Sequence, residues 1–316
     1  MKKLLSYIII GMLVLGGLGA IVTATNRNEK NSQSNNTTSS PYVDELDQSM
    51  TSYNGSLPVG RTNFIGFYTN LSVEQSFIPQ KELLTRVQFL MARNASTSKP
   101  CVLAVRDNLT GENLAIVSVT PSEFPVVNGT PTEEQLAWIN FNFDDIWVTP
   151  GQTYYIVVYT ANITENYYWI SGNDTNMYQN GSAMFSIDDG KTWNDIFPGA
   201  DGCFKTYGLR EAFLEITMKN FNPFGVISYT VKNIGNYTAW DIVIEETVKG
   251  GILGRIDDHS HGIIGGLLPG EYVGFGTGIY FGLGKITISF NVSAANVKET
   301  SIEKNAKIFL IFIMMQ

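Results

Sequence analysis

The stretch Thr85-Arg86-Val87-Gln88-Phe89-Leu90-Met91 decides the fold class of this chain. Val87, Phe89 and Met91 fall on one face of an extended chain, because successive side chains of a β-strand point to opposite sides. Such alternation is typical of a strand with one face in a core and the other toward water. The same period returns at residues 139–143, where apolar residues alternate with asparagines. The pattern predicts an antiparallel β-protein.

Further short runs lie on both sides of this stretch, separated by turn residues, and none has the length or period of a long helix. The runs before residue 210 cover residues 85–91, 101–106, 114–119, 139–143, 153–159, 167–171, 183–186 and 204–207. Seven or eight strands in about 140 residues are typical of a sandwich. We therefore predict an antiparallel, jelly-roll-like β-sandwich over residues 56–209.

A second series of β-type runs follows, with glycine-rich turns between them. These runs cover residues 214–218, 225–232, 241–248, 272–276, 286–291 and 307–314. About 100 residues with this number of strands are the dimensions of an immunoglobulin-like sandwich, which we predict over residues 210–316. The apolar run at residues 308–315 is too short to span a bilayer, so we expect it to be the last core strand.

The N-terminal part of the chain has the layout of an export signal. Lys2 and Lys3 precede an uncharged stretch over residues 4–25, which predicts a hydrophobic helix over residues 1–25. It is either a signal peptide cleaved after Val22-Thr23-Ala24 or an uncleaved membrane anchor. Both place the rest of the chain outside the cytoplasm. Residues 26–55 are rich in Asn, Ser and Thr and predict a disordered stalk.

Sequons of the type N-x-[S/T] are unusually frequent. The chain contains 12 of them, whereas its composition would give roughly four by chance. The asparagines are Asn35, Asn36, Asn54, Asn70, Asn94, Asn108, Asn128, Asn162, Asn173, Asn180, Asn236 and Asn291. The excess predicts a glycoprotein made outside the cytoplasm.

Charge excludes one class of function. Charged residues make up 16% of the chain, the formal net charge is −8, and no block of basic residues is present. Nucleic-acid binding needs clustered Lys and Arg to displace counterions from phosphates. We therefore expect no nucleic-acid partner.

Cys101 and Cys203 are the two cysteines of the chain. In an oxidising compartment an even pair favours a disulfide, which we predict. Two buried free thiols are the alternative.

Residues 186–193, Ser-Ile-Asp-Asp-Gly-Lys-Thr-Trp, fit the pattern S-x-D-x-G-x-x-W and resemble the Asp-box of sialidases and many secreted β-proteins. The pattern predicts a hairpin in which Asp188 accepts backbone N–H bonds, Gly190 takes positive φ, and Trp193 packs over the turn. A sialidase needs several copies and clustered arginines, so we interpret the motif as a structural turn.

Metal and catalytic sites are poorly supported. His259 and His261 are the only histidines in the chain, and no third His or Cys lies near them in the sequence, so we expect a solvated loop and no transition-metal site. No Ser–His–Asp arrangement or G-x-S-x-G elbow is present, and we predict no catalytic residues. Carboxylates at Glu133-Glu134, Asp144-Asp145 and Asp188-Asp189 leave room for a structural calcium in the first domain.

Aromatic residues offer the best candidate ligand site. Tyr167, Tyr168 and Trp169 are consecutive in a predicted strand, so at least one must point outward. Exposed rings of this kind stack on sugars, and we take these three residues as the candidate platform. The alternative is that they belong to the core.

Both predicted domains resemble modules of prokaryotic surface proteins. Residues 75–79, 84–87, 106–111, 148–155 and 204–208 resemble the carbohydrate-binding-like jelly-roll domains of archaeal and bacterial surface proteins. Residues 231–236, 239, 250–254, 268–271 and 281–284 resemble their cell-adhesion-related immunoglobulin-like domains. The resemblance implies a spacer or adhesion role and carries no catalytic residues.

The sequence thus predicts a non-catalytic cell-surface protein with an adhesion or envelope-structural role, attached to the membrane or secreted. A carbohydrate-binding module is the main alternative, and an unrecognised glycoside hydrolase is a weaker one. Surface glycans and other envelope proteins are the expected partners.

Overall fold

The computed structural model describes residues 44–64, 66–221 and 226–315. These residues form two compact units, which divide between Arg210 and Glu211, one residue from the predicted boundary. Both units are built from β-strands, as predicted. Helical structure in the described residues is limited to three single turns of 3-10 helix, at Pro121–Glu123, Glu133–Gln135 and Ile252–Gly254. None of the described helices is long and apolar enough to cross a bilayer, and the predicted helix over residues 1–25 lies outside the described residues.

The first unit contains fourteen strands. They are β1 (Glu45–Met50), β2 (Gly55–Phe64), β3 (Phe67–Phe77), β4 (Leu83–Asn94), β5 (Cys101–Arg106), β6 (Ala115–Val119), β7 (Val126–Val127), β8 (Ala137–Trp147), β9 (Tyr154–Thr160), β10 (Asn166–Asn173), β11 (Ala183–Ser186), β12 (Asn194–Asp195), β13 (Asp201–Gly202) and β14 (Phe204–Leu209). Nine of them pair in the order β1-β14-β4-β10-β2-β3-β9-β5-β6, and the other five lie off this path: β7 and β8 pair with β4, β11 with β3, β12 with β11, and β13 with β10.

Strand β3 connects the two layers of this sandwich. Its first half pairs with β2, from Phe67 to Leu71, and its second half pairs with β9, from Val73 to Phe77. The inward faces enclose one apolar core, which includes Val87, Phe89 and Met91 of the stretch that predicted the fold.

The second unit contains eight strands in two sheets. They are β15 (Leu214–Phe221), β16 (Val226–Asn233), β17 (Ala239–Gly250), β18 (Ile256–Leu267), β19 (Tyr272–Gly276), β20 (Gly282–Ala294), β21 (Val297–Leu310) and β22 (Phe312–Met315). The order is β15-β16-β19 in one sheet and β18-β17-β20-β21-β22 in the other. Even-numbered residues of β17, such as Ile242, Ile244 and Val248, enter the core between the sheets.

Two sequence predictions are corrected by these strands. The predicted stalk over residues 26–55 is wrong at its C-terminal end, because Glu45–Met50 pairs with β14 and buries Met50 in the core; residues 26–43 lie outside the described residues. The loop predicted around His259 and His261 is wrong as well, since both residues belong to β18, which pairs along its length with β17.

Candidate functional site

The Asp-box turn joins β11 to β12 and is held by the carboxylate of Asp188. Its Oδ1 accepts hydrogen bonds from the backbone amides of Lys191 (3.1 Å) and Thr192 (2.9 Å), and its Oδ2 accepts one from Thr192 Oγ1 (2.7 Å). Bonds to the ionised form of a carboxylate lower its pKa. The Thr192 amide makes the largest contribution, and together the bonds lower the pKa of Asp188 to about 2.

The other two predicted turn residues also behave as expected. Gly190 has φ +81°, a left-handed conformation that favours glycine, and its amide donates to Ser186 Oγ at 2.9 Å. Trp193 Nε1 donates to the Gly190 carbonyl at 3.1 Å. These contacts agree with the prediction that Asp188, Gly190 and Trp193 form a structural turn.

A polar cavity lies between this hairpin and the outer face of the sheet formed by β3, β9 and β5. Its volume is about 360 Å³. The side chains around it include Asn70, Ser72, Arg106, Tyr159, Asp189 and Trp193. We call this feature the hairpin cavity.

Hydrogen bonds hold its walls in place. Asn70 Nδ2 donates to Asp189 Oδ1 at 3.0 Å and so ties β3 to the hairpin. Arg106 Nε donates to Asn113 Oδ1 at 2.8 Å, and its Nη1 donates to the Leu109 carbonyl at 2.9 Å. The cavity is therefore a preformed pocket with a guanidinium, a phenol, a hydroxyl and an indole around it.

A buried carboxylate lies next to the floor of this cavity. Glu74 is 1% exposed and lies directly across from Val157, a floor residue, and from Met184. Neither carboxylate oxygen has a hydrogen-bond partner among the described residues. Burial raises the pKa of Glu74 well above its usual value, because a charged carboxylate is strongly disfavoured away from water.

The predicted aromatic platform is not exposed. Tyr168 is fully buried in the core, where it packs on Phe124, and Tyr167 is 8% exposed. Trp169 is half-buried and meets the Tyr167 ring edge to face at 5.6 Å. A stacking platform needs open ring faces, so Tyr167, Tyr168 and Trp169 do not form one. The core alternative describes Tyr168 correctly.

The disulfide prediction is wrong. Cys101 and Cys203 are both buried free thiols. Cys101 on β5 lies across from Val119 and Thr160, whereas the backbone of Cys203 bonds to Leu90 and Ser171. The cysteines thus belong to different layers, and burial raises the pKa of Cys203 to about 11 and that of Cys101 further.

The carboxylates proposed for calcium do not meet in one place. Asp144 and Asp145 lie on β8, Glu133 and Glu134 in a 3-10 turn, and Asp188 and Asp189 in the hairpin. Within the described ranges no group of three or more His, Cys, Asp and Glu side chains is arranged to hold a metal.

Sequon asparagines lie at the surface. Of those in the described residues none is buried: Asn54, Asn108, Asn128, Asn162, Asn180 and Asn236 are exposed, and Asn70, Asn94, Asn173 and Asn291 are half-buried. Asn35 and Asn36 lie outside the described residues. In four of the described ones, Asn54, Asn70, Asn94 and Asn173, the amide nitrogen that would carry a glycan donates a hydrogen bond to another side chain.

A second cavity of the first unit is mostly apolar. It measures about 200 Å³ and is lined by residues such as Leu57, Ile170 and Phe197. Two sequon asparagines meet at its edge, where Asn54 Nδ2 donates to Asn173 Oδ1 at 3.1 Å. Because the surface of this second cavity is mostly apolar, we regard the hairpin cavity as the better candidate site.

Comparison with known proteins gives no family. No protein-family model and no curated protein matches this chain. Solved structures with some similarity include a beta-glucuronidase of Bacteroides uniformis, which is 9% identical with a TM-score of 0.22 over 76% of this chain and 27% of its own. A GH2 beta-galacturonidase from Eisenbergiella tayi, solved with bound glycerol, is 12% identical with a TM-score of 0.21 over 87% of this chain and 46% of its own. This chain thus spans less than half the length of either enzyme, and similarity at this level carries no residue role over to it.

The fold and the cavity together define a protein of two β-sandwich units, with a preformed polar pocket on the first.

Proposed function

We propose that this chain is a non-catalytic, exported surface protein that recognises a saccharide in the hairpin cavity. Saccharide sites combine hydrogen-bonding groups for the hydroxyls with an aromatic ring for the apolar sugar face. The hairpin cavity offers the Arg106 guanidinium, the Tyr159 phenol and the Trp193 indole on one preformed frame. A volume of about 360 Å³ falls in the range of small-molecule pockets.

The arrangement of carboxylates favours binding over hydrolysis. Glycoside hydrolysis uses two carboxyl groups that face the scissile bond from opposite sides. Asp189 is the one carboxylate that lines the cavity among the described residues, and it already accepts a bond from Asn70. This supports a binding role, with adhesion to surface glycans as its biological use.

Export and surface attachment rest on the sequence. The surface positions of the described sequons agree with glycosylation after export, and the stretch over residues 4–25 provides the membrane route. Cell fractionation and the mass of the protein before and after deglycosylation test this part. A cytoplasmic, unmodified protein would overturn it.

A purely structural role in the envelope is the second candidate. The observation that favours it is the long pairing of β20 with β21, which runs from Gly282↔Leu310 to Ala294↔Val297 and gives the second unit an extended ladder of backbone hydrogen bonds.

Saccharide binding is tested by a glycan array followed by calorimetry on the best ligand. Tyr159→Phe removes one hydroxyl from the cavity and should weaken binding about tenfold, because a lost hydrogen bond of this kind costs about 1 kcal/mol or more. Tyr155→Phe is the matched control, since Tyr155 lies four residues earlier on β9, on the same face and outside the lining. A flat array, or equal losses in both variants, would exclude this site and leave the structural role.

A further inference from the structure

A cluster of oxygen atoms lies inside the second unit, at the edge of its two sheets. Glu246 on β17 lies across from Ser260 on β18, and it points inward like its neighbours Ile244 and Val248. Asp258 lies two residues from Ser260 along the same strand. Tyr229 of the facing sheet and Tyr280 complete what we call the acid–phenol cluster.

Two buried groups of this cluster have no hydrogen-bond partner of normal geometry within the described part of the chain. Glu246 is 8% exposed and Tyr229 is fully buried, with its ring stacked on Phe290 at 4.1 Å. Neither Glu246 Oε1 nor the Tyr229 hydroxyl has a partner with good geometry among the described residues. The two groups nevertheless lie close to each other. Burial is the main cause of the raised pKa of the Tyr229 phenol, and Glu246 is the second. Buried oxygen atoms of this kind are normally satisfied by a hydrogen bond, a water molecule or an ion.

The rest of the cluster opens toward solvent. Tyr280 donates its hydroxyl hydrogen bond to Asp258 Oδ2 at 2.7 Å, and Asp258 is exposed. An ion could therefore reach the cluster from the Asp258 side.

Acidic groups outnumber basic ones on the face that carries the cluster. Asp258 lies close enough to Glu246 to contribute, after burial, to the raised pKa of Glu246, because two carboxylates at close range disfavour joint ionisation. Lys249, the basic residue nearest to them on β17, pairs with Asp257 at 3.8 Å. Both lie on the opposite face of the sheet, because their positions along β17 and β18 are odd-numbered. The cluster therefore has two acids and no basic residue on its own face of these two strands.

We propose that the acid–phenol cluster binds a hard divalent cation, with calcium as the best fit. All its donors are oxygens: two carboxylates, two phenols and the Ser260 hydroxyl, with water completing the shell. Oxygen donors in variable numbers are what calcium takes. A transition metal would need imidazole or thiolate ligands, but His259 and His261 are on the other face of β18.

One property follows from this assignment. Affinity is modest, in the range of about 10⁻⁴–10⁻³ M that extracellular calcium modules show, because only two carboxylates contribute. This property is independent of saccharide binding in the first unit.

Terbium luminescence on the full chain tests the site directly. Terbium replaces calcium and emits when a nearby tyrosine is excited, so Tyr229 and Tyr280 act as built-in sensitisers. We expect emission that calcium at millimolar concentration displaces, together with a rise in the melting temperature of the second unit on adding calcium. Glu246→Gln should remove both signals, and Asp258→Asn should weaken them at least tenfold.

Glu245→Gln is the matched control, because Glu245 is adjacent on β17, exposed, and on the opposite face. It should keep both signals. Circular dichroism at 20 °C checks that every variant is folded. Emission that persists in Glu246→Gln, or that is lost equally in Glu245→Gln, would overturn the proposal. The absence of any calcium-dependent shift at pH 8 would overturn it too, and would leave the cluster without a metal.

Discussion

Each unit of the protein buries one glutamate, and the two differ in their surroundings. Glu74 of the first unit lies across from Val157 and Met184, and burial alone raises its pKa. Glu246 of the second unit lies among Asp258, Ser260, Tyr229 and Tyr280. Burial and Asp258 raise its pKa, whereas Tyr229 and Ser260 lower it. Burial therefore makes a perturbed carboxylate in both units, but oxygen donors converge only around Glu246. We therefore treat Glu246, around which oxygen donors converge, as part of a candidate site, and Glu74 as a buried carboxyl group that lowers stability.

The largest effect that would sharpen this comparison is expected at Glu74. Glu74→Met replaces a carboxyl group without partners by an apolar side chain of similar length, and should raise the free energy of unfolding of the first unit by about 3–4 kcal/mol at pH 8. Urea denaturation followed by tryptophan fluorescence measures it, because Trp138, Trp147, Trp169 and Trp193 all lie in this unit.

The gain should depend on pH in a defined direction. A raised pKa in the folded state means that wild-type stability is greatest below the ordinary value of 4.5 and falls as pH rises toward the raised pKa. The advantage of Glu74→Met should therefore be smaller at pH 4 than at pH 8. The exposed Glu112→Met is the control. An unchanged or lower stability of Glu74→Met at pH 8 would show that Glu74 has a partner or a role.

The next effect is expected at Glu246, in the absence of calcium. Its pKa rises from 4.5 to about 7, so the second unit should lose stability between these pH values and level off above them. At about 1.4 kcal/mol per pH unit, the loss over this range of about 2.5 units is about 3.5 kcal/mol. Glu246→Gln should remove this slope.

Calorimetry of the full chain in a chelator, at several pH values, measures the slope. Glu245→Gln should keep it. If the stability of Glu246→Gln still falls with pH, another group is responsible for the titration. The proposed difference between Glu74 and Glu246 would then be wrong.

The sequence predicted strands that are rich in apolar residues and missed two that carry many polar side chains. Cys101–Arg106, Ala183–Ser186 and Tyr272–Gly276 were predicted at their observed bounds. Strand β3 was missed because Ser72, Glu74 and Ser76 are polar and suggested an exposed segment. In the structure all three side chains are buried. Strand β18 was missed because most of its side chains are exposed and its first half is polar. Its backbone pairing with β17 makes it a strand.

The candidate sites divide in the same way. The Asp188 turn was predictable because its bonds join residues within eight positions of one another. The hairpin cavity and the acid–phenol cluster were not, because each gathers residues from several strands whose pairing no local pattern records. Tyr167, Tyr168 and Trp169 were misjudged for the same reason, since neighbouring strands and loops decide which rings are covered.

The smallest effect is expected at Asp188, which provides the opposite case to both glutamates. Asp188 lies at the surface, and hydrogen bonds to its ionised form lower its pKa to about 2, whereas burial raised the pKa of the other two. The stabilisation it gives the turn should be present above the ordinary value of 3.8 and lost as pH falls toward 2. Asp188→Asn keeps an acceptor for one amide but loses the charge that strengthens the bonds to Lys191 and Thr192. We expect trypsin to cleave after Lys191 several-fold faster in this variant at pH 8, because local opening of the turn exposes the bond, while the unfolding midpoint of the first unit stays unchanged.

Asp195→Asn, an exposed substitution on β12, should leave cleavage at the wild-type rate. Equal cleavage in the two variants would mean that Ser186 and Trp193 hold the turn without the carboxylate. The direction of a pKa shift would then fail as a guide to which acidic residue supports the structure around it.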